Sequence, residues 1–155
     1  MKQTLLFLLL LFVFSCSNDD DILELDEGII FGEVYGLCSG DCRNLFLLTE
    51  NNLYEDLNKE TDYGNWENTS FKKQPLTNEK YELAKILLSI PNGLFELENT
   101  FEDQQIYSDI DYYIHIKRGN EIQTLIFDKP HEKADNESKL YLEKLMEVYN
   151  KLTLE

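Results

Sequence analysis

Apolar and polar residues follow different periods along the chain, and each period predicts an element. Residues 29–36 (Ile-Ile-Phe-Gly-Glu-Val-Tyr-Gly) are rich in β-forming side chains and predict a first strand. Residues 44–49 and 53–56 predict two more, because the turn-forming residues 50–52 separate them. Residues 58–76 lack a clear period and predict an irregular segment. Its aromatic side chains are expected to cover the core: Tyr63, Trp66 and Phe71.

Helical spacing of apolar residues predicts two helices. The first begins after Thr77, whose hydroxyl suits a helix N-cap, and ends at the Pro-Asn-Gly sequence of residues 91–93. The second is predicted over residues 137–152, with Asp135 or Asn136 as its cap. The apolar positions that share a face are Leu83, Ala84, Ile86, Leu87 and Ile90 in the first helix, and Leu142, Leu145, Tyr149 and Leu152 in the second.

Residues 112–127 predict a β-hairpin. Gly119 and Asn120 form a two-residue turn that pairs Arg118 with Glu121. A shift of one residue would move every side chain to the opposite face, so the pattern fixes the register. Counting outward, the more apolar face pairs Ile116 with Gln123, Ile114 with Leu125 and Tyr112 with Phe127. The other face pairs Lys117 with Ile122, His115 with Thr124 and Tyr113 with Ile126.

Together these elements predict an α+β fold in the order β-β-β-α-β-β-α. An antiparallel sheet of about five strands is expected to carry both helices on one face. The length of 155 residues suits one domain, and 43% hydrophobic residues suffice for one core. We therefore expect a single α+β domain over residues 28–155.

Charge narrows the range of partners. Thirty acidic residues against 14 basic ones give a formal charge of −16, which becomes −17 when residues 1–15, with Lys2, are removed. Such a field repels phosphate backbones, so nucleic-acid binding is not expected. A Gly-rich phosphate loop and a His-Glu-x-x-His motif are both missing from the sequence. The sequence therefore predicts neither a cofactor nor a metal.

The N-terminus has the pattern of a secretory signal peptide. Lys2 precedes an unbroken apolar run at residues 5–14, which is too short to span a bilayer as a helix. Residues 13–16 (Val-Phe-Ser-Cys) resemble the lipobox of bacterial lipoproteins. The resemblance implies cleavage after residue 15 and a diacylglyceryl group on the Cys16 thiol. A membrane anchor of fatty acyl chains such as palmitate follows from it.

Residues 16–27 are predicted to be the lipidated cysteine and an acidic linker. Ser-Asn-Asp-Asp-Asp at residues 17–21 resembles the signal that follows the lipidated cysteine in surface-displayed lipoproteins of the Bacteroidota. A plain spacer is the simpler interpretation of the Asp run. The Asp residues lack the alternating spacing and glycine of a calcium loop, which makes a calcium site the weakest alternative. We expect attachment to the outer membrane, with display on the cell surface.

Cys38 and Cys42 are the distinctive residues of the predicted domain. With Cys16 lipidated, these two form an even pair in an oxidising compartment, which favours a disulfide. Free or reactive thiols are the first alternative. A metal site is the second, although zinc would need two further ligands.

A longer resemblance surrounds this pair. Residues 31–42 contain a Phe-Gly step, a Tyr-Gly step and then Cys-x-x-x-Cys. This run looks like the opening of a group of uncharacterised Bacteroidota secreted lipoproteins. The resemblance implies a compartment and an architecture but no mechanism.

Candidate catalytic residues are few. His115 lies on the less apolar face of the hairpin, and His131 follows it in a polar connection. No serine has the sequence context of a nucleophile elbow. Asp109 and Asp111 flank the start of a strand, where a solvated strand end is the more ordinary interpretation than a catalytic pair. The sequence therefore does not favour an enzyme.

Binding is the function class that the sequence favours. Tyr107, Tyr112 and Tyr113 offer either an aromatic binding surface or, more simply, core packing. We expect a non-catalytic binding or inhibitory module whose partner is an extracellular protein, a glycan or an envelope component. The alternatives are a subunit of an envelope assembly and, third, an enzyme with an unrecognised site.

Overall fold

The fold is built on an antiparallel sheet of five strands, with a separate two-stranded ribbon beside it. The computed structural model of the chain describes residues 22–23, 27–36, 42–59, 66, 69–98, 110–130 and 132–154. The strands within these residues are β1 (Ile22–Leu23), β2 (Gly28–Tyr35), β3 (Arg43–Leu48), β4 (Leu53–Glu55), β5 (Phe71–Lys72), β6 (Ile110–Arg118) and β7 (Glu121–Phe127).

The five strands lie in the order β4-β3-β2-β6-β7, and every neighbouring pair is antiparallel. The predicted hairpin register is confirmed at every position, from Arg118 opposite Glu121 to Tyr112 opposite Phe127. β2 occupies the centre because it pairs with β3 on one side and β6 on the other.

Two α-helices and two 3-10 helices complete the described elements. Helix α1 spans Asn78–Ala84 and α2 spans Asn136–Thr153, while the 3-10 helices span Lys85–Leu88 and Asn92–Glu96. The predicted α+β class is therefore confirmed. Within the part of the chain that the structure describes, no helix combines the length and apolarity needed to cross a bilayer.

Both predicted helix caps are confirmed. The Thr77 side chain accepts a hydrogen bond from the backbone N–H of Lys80. Asp135 Oδ1 accepts from the N–H groups of Glu137 and Ser138, at 2.8 and 2.9 Å. These bonds satisfy backbone donors that have no partner within the helix. Residue choice before each helix therefore sets where it begins.

The first helix ends earlier than its pattern predicts. Its α-helical part stops at Ala84, and the next turn winds as the 3-10 helix Lys85–Leu88. With three residues per turn instead of 3.6, tighter winding rotates the side chains relative to the predicted face. Leu87 stays fully buried, but Ile86, predicted to face the core, is 55% exposed.

One face of the sheet, termed the helix face, carries both α-helices and the larger core. Alternate side chains of each strand project to it, as the pleat requires. Burying one Leu, Ile or Phe side chain fully contributes about 1.5–3 kcal/mol to the free energy of folding. The sheet contributes Ile29, Phe31, Phe46, Leu48, Leu53, Ile114, Ile116, Leu125 and Phe127, and the helices contribute Tyr81, Ala84, Leu87, Leu94, Tyr141, Leu142, Leu145, Val148, Tyr149 and Leu152.

The opposite face, termed the Trp66 face, is also covered. Trp66 and Phe71, both predicted to cover the core, are 1% and 0% exposed. The Trp66 ring meets the Tyr113 ring edge-on, with 5.5 Å between their centroids. Phe71 lies in strand β5, inside the segment predicted to be irregular, and Tyr63 lies outside the described residues. On the less apolar face of the hairpin, Tyr113, His115 and Ile126 are therefore buried, while Ile122 near the turn stays 61% exposed.

The segment that precedes the predicted domain also takes part in the fold. Ile22 and Leu23 form strand β1, which pairs antiparallel with β5 through Ile22–Lys72 and Leu23–Phe71. The sequence predicts a linker through residue 27, but β1 lies within that range. Five residues, 17–21, therefore separate Cys16 from the first strand.

Candidate functional site

A group of polar and aromatic side chains converges at one end of the helix face. At this end β2 finishes, while β3 and β6 begin. The register places Glu33 between Asn44 on β3 and Tyr112 on β6. The last turns of α2 cross above them and bring Tyr149 into contact. We term this group the tyrosine cluster; its members are Glu33, Tyr35, Asn44, Tyr112, Tyr149 and Asn150.

The Glu33 carboxylate is the centre of the cluster. Its Oε2 accepts hydrogen bonds from the hydroxyls of Tyr35 at 3.2 Å and Tyr149 at 3.1 Å. Asn44 Nδ2 donates to the Tyr149 hydroxyl oxygen at 3.1 Å. Among the described residues, Glu33 Oε1 accepts no hydrogen bond and Glu33 forms no ion pair. Two hydrogen bonds therefore hold Oε2 in place, while Oε1 stays open, which means that it has no hydrogen-bond donor among the described residues.

Aromatic packing holds the cluster in place. The Tyr149 ring meets the rings of Tyr112 and Phe46 edge-on, with centroids 5.8 and 6.1 Å apart. The Tyr112 ring stacks on Phe127 at 5.8 Å. Such contacts contribute about 0.5–1.5 kcal/mol each beyond burial. The Tyr112 hydroxyl lies 3.5 Å from Asn150 Oδ1 and 3.4 Å from its Nδ2, which ties β6 to the end of α2.

Burial differs between the members of the cluster. Tyr149 is 2% exposed, whereas Glu33, Tyr35, Asn44 and Tyr112 are half-buried. Burial raises the pKa of Tyr149, and the negative charge of Glu33 raises it further. Its phenol therefore stays neutral and keeps donating to Glu33 at any physiological pH.

An ion pair lies at the same end of the sheet, on the Trp66 face. Arg43 Nε donates to Asp56 Oδ2 at 2.6 Å and Arg43 Nη2 to Oδ1 at 3.3 Å, with side chains only 4% and 0% exposed. Arg43 Nη2 also donates to the carbonyl of Asn58 at 2.7 Å. Burial raises the pKa of Asp56, and the Arg43 guanidinium opposes that rise. These bonds join β3 to the segment after β4, which is a structural role.

Asp111 is the second buried carboxylate on this face. It is 6% exposed, at the start of β6. Burial raises the pKa of Asp111, and the negative charge of Asp128 adds to the rise. Asp109, its predicted partner in a catalytic pair, lies outside the described residues. The acidic neighbour that affects Asp111 is thus Asp128.

Replacing Asp111 with asparagine is expected to stabilise the protein at neutral pH. The folded state holds the Asp111 proton more tightly than the unfolded chain, so stability falls as pH rises above 3.8, the ordinary pKa. Asparagine removes that loss. In urea unfolding curves, the free energy of unfolding of Asp111→Asn should be higher than that of the wild type at pH 7. The two values should match when the pH lies well below the ordinary pKa. An advantage of the same size at both pH values would contradict this account.

The cysteine prediction falls only partly on described residues. Cys42 is disulfide-bonded and lies just before β3, where its carbonyl accepts from the Tyr35 N–H at 3.0 Å. Cys38 and Cys16 lie outside the described residues, so the Cys38–Cys42 pairing and the lipidation stay predictions. The backbone hydrogen bond between Tyr35 and Cys42 places Cys42 at the same end of the sheet as the tyrosine cluster.

The candidate histidine lies away from the cluster. His115 is 8% exposed on the Trp66 face, and its Nδ1 lies 2.8 Å from Thr124 Oγ1. This cross-strand contact follows from the hairpin register. His131 lies outside the described residues. Within the described part of the chain, no three His, Cys, Asp or Glu side chains are grouped to hold a metal ion.

The aromatic group predicted from sequence is divided by the sheet. Tyr112 and Tyr113 are consecutive in β6 and project to opposite faces. Tyr112 joins the tyrosine cluster, and Tyr113 is fully buried beside Trp66. Tyr107 lies outside the described residues. Sequence reasoning missed Glu33 and Tyr149, because only the pairing of β2 with β6 and the packing of α2 bring them to Tyr112.

A cavity of about 240 Å³ lies beside the start of α2. A Cβ on Gly93 would lie 1.8 Å from Asp135 Oδ2, so glycine permits the close approach of the second 3-10 helix. Asp135 already accepts bonds as the helix cap, and Lys133 pairs with Glu98 at 3.8 Å. Asp135, Lys133 and Glu98 are therefore engaged with protein groups, and the described lining of the cavity contains no aromatic ring. Its lining residues are Gly93, Glu96, Leu97, Glu98, Lys133 and Asp135.

Comparisons of the chain with protein-family models, curated proteins and solved structures found no match. Function is therefore inferred from the chain's own residues. Of the groups described above, the tyrosine cluster alone joins half-buried aromatic rings to an open carboxylate oxygen.

Proposed function

We propose that this protein is a lipoprotein anchored to the outer membrane through Cys16, and that it binds a partner with the tyrosine cluster. The observation that carries the proposal is the open Oε1 of Glu33, in a carboxylate whose other oxygen is fixed by two tyrosine hydroxyls. Such a group is pre-organised for a ligand, because the protein has already ordered it.

The composition of the cluster supports recognition. Tyrosine supplies a large, rigid contact surface with a polar tip, and only two side-chain torsions are ordered when it binds. Tyr35 and Tyr112 are half-buried, so their rings are already held by the fold while part of each stays accessible. Asn44 and Asn150 add amides at the edge of the same surface.

The anchor is supported by the sequence of residues 1–16. The apolar run and its terminal cysteine have the order that lipoprotein processing requires, as the resemblance implies. An acidic domain is repelled by anionic lipid head groups, so acyl chains would supply the membrane affinity that its surface lacks. A binding module held there meets partners at the cell surface.

Crosslinking of the full chain in the cells that produce it tests the proposal. Asn150→Arg places a long side chain over the cluster from an exposed helix position, and Asn120→Arg makes the same change at the opposite end of the sheet. We expect the wild type and Asn120→Arg to crosslink the same partner. The amount of that crosslinked product should fall about tenfold or more in Asn150→Arg, because a blocked contact costs about 1.4 kcal/mol or more of binding free energy. Cys16→Ser should lose the lipid mass and membrane retention.

Two results would contradict the proposal. Equal crosslinking by Asn150→Arg and Asn120→Arg would place recognition elsewhere on the surface. Processing and membrane retention of Cys16→Ser at the wild-type level would remove the anchor.

A further inference from the structure

We infer that the tyrosine cluster binds a cationic group, namely a lysine ammonium or arginine guanidinium presented by a basic protein segment. Glu33 Oε1 is the acceptor, and the rings of Tyr35 and Tyr112 border the charge. This inference rests on the proposed function and names the chemistry of its ligand.

The hydrogen bonds within the cluster determine what a ligand must supply. The Tyr149 proton is directed at Glu33, so its oxygen has to accept, which fixes Asn44 Nδ2 as the donor toward it. Tyr35 likewise directs its proton at Glu33 Oε2. Glu33 Oε1 and Asn44 Oδ1 are left open within the described structure, and both are acceptors. A ligand therefore has to bring donors.

Charge selects among the possible donors. Glu33 is the sole carboxylate of the cluster and has no ion pair among the described residues. Any donor to this carboxylate forms a charge-assisted hydrogen bond, and a cationic donor adds direct charge attraction to it. The formal charge of −16 also attracts a basic segment from a distance and raises its association rate.

The aromatic members favour an organic cation over a metal ion. A single carboxylate and an amide oxygen are too few for calcium, which takes six to eight oxygen ligands. Tyrosine rings attract ammonium and guanidinium groups through their faces, most strongly where water is excluded. The same chain already places Arg118 4.6 Å from the ring centre of Phe95. A neutral sugar also offers donors, and the experiment separates it from a cation.

Peptide binding to the full chain in nonionic detergent tests the inference. The probes are peptides that alternate glycine with arginine, lysine or glutamate, together with neutral oligosaccharides. Glu33→Gln keeps the shape of the side chain and an oxygen for both tyrosines, and Glu143→Gln removes the same charge from an exposed position of α2. We expect the basic peptides to bind and Glu33→Gln to weaken them by about tenfold or more. Glu143→Gln should weaken them less than twofold, about the size of an exposed-charge effect.

A second readout locates the contact. In NMR spectra, the basic peptides should shift the side-chain amide of Asn44 and the ring signals of Tyr35 and Tyr112. Shifts confined to other parts of the surface would overturn the inference even if the peptides bind.

Three further results would also overturn it. Failure of both basic peptides to bind is the first. Equal weakening by Glu33→Gln and Glu143→Gln is the second, because it would mean attraction by net charge alone. The third is that the acidic peptide or a sugar binds at the cluster with an affinity that Glu33→Gln does not change. The proposed function would then stand, but the inferred cationic ligand would be wrong.

Discussion

Replacing Gly32 with alanine should lower the free energy of unfolding by about 3–5 kcal/mol, at the upper end of single-substitution effects. A Cβ at this position would lie 2.1 Å from the carbonyl oxygen of Asn44 and 3.0 Å from the Cα of Leu45. Both atoms belong to the backbone of β3, which cannot move as a side chain would. Gly32 also has a φ of +153°, which alanine adopts only with strain.

The central position of β2 increases the cost. β2 is paired along its length with β3 and β6, so a displacement at Gly32 disturbs two ladders at once. Gly119→Ala is the control, since its φ is +59° and a Cβ there would meet nothing within 4 Å. Urea unfolding should give a loss of about 1–2 kcal/mol for the control, the strain of a left-handed residue alone. Equal losses in the two variants would mean that the Asn44 contact is relieved without disturbing the sheet.

Replacing Asp56 with alanine should cost about 3–5 kcal/mol, because it leaves the Arg43 guanidinium buried without its counter-ion. Asp56 Oδ1 also accepts from the N–H of Asn58 at 3.0 Å, so the segment after β4 loses a second bond. The whole stability of a domain is about 5–15 kcal/mol, so this single loss removes a large fraction of it.

Two controls separate the buried pair from ordinary surface charge. Glu55 is the adjacent residue and pairs with Lys72 at 2.7 Å, with 29% of its side chain exposed. Glu55→Ala should cost less than about 1 kcal/mol in the same unfolding measurement. The double variant Arg43→Met with Asp56→Leu should recover much of the Asp56→Ala loss, because no unpaired charge remains. A double variant as unstable as Asp56→Ala alone would show that the charge is not the cause.

Local signals in the sequence predicted local structure well. The Gly119–Asn120 turn fixes which residues face each other, and alternating apolar positions leave one acceptable register, so the hairpin is confirmed pair by pair. Asp135 predicted the start of α2 because a side-chain acceptor is needed where the first backbone donors lack partners.

Pairings between residues far apart in the chain could not be predicted from the sequence. β1 and β5 contain two residues each, too few for a period to be visible, and their pairing joins Leu23 to Phe71. The Arg43–Asp56 pair was missed for a related reason. Each residue alone is an ordinary charged residue near a strand, and only the β3–β4 arrangement buries them together.

The tyrosine cluster shows the same limit at the level of function. Glu33 and Tyr149 are separated by 116 positions, and their contact depends on how α2 packs across the sheet. The sequence identified Tyr112 as a candidate but grouped it with Tyr113, its neighbour along the chain. In a strand, neighbours along the chain point apart, and residues on adjacent strands come together.

If Cys16 carries the proposed lipid, strand β1 would set how far the domain can stand from a bilayer. With the proposed lipid on Cys16, only residues 17–21 separate the anchor from Ile22, and a fully extended chain of that length reaches about 20 Å. The electrostatic field of anionic head groups decays over about 8 Å at physiological ionic strength. Under that proposal, a tether of this length would let the acidic domain lie beyond the repulsion of the lipid head groups while keeping it in a thin layer above the membrane. Partners fixed in that same layer would meet it at a high effective concentration.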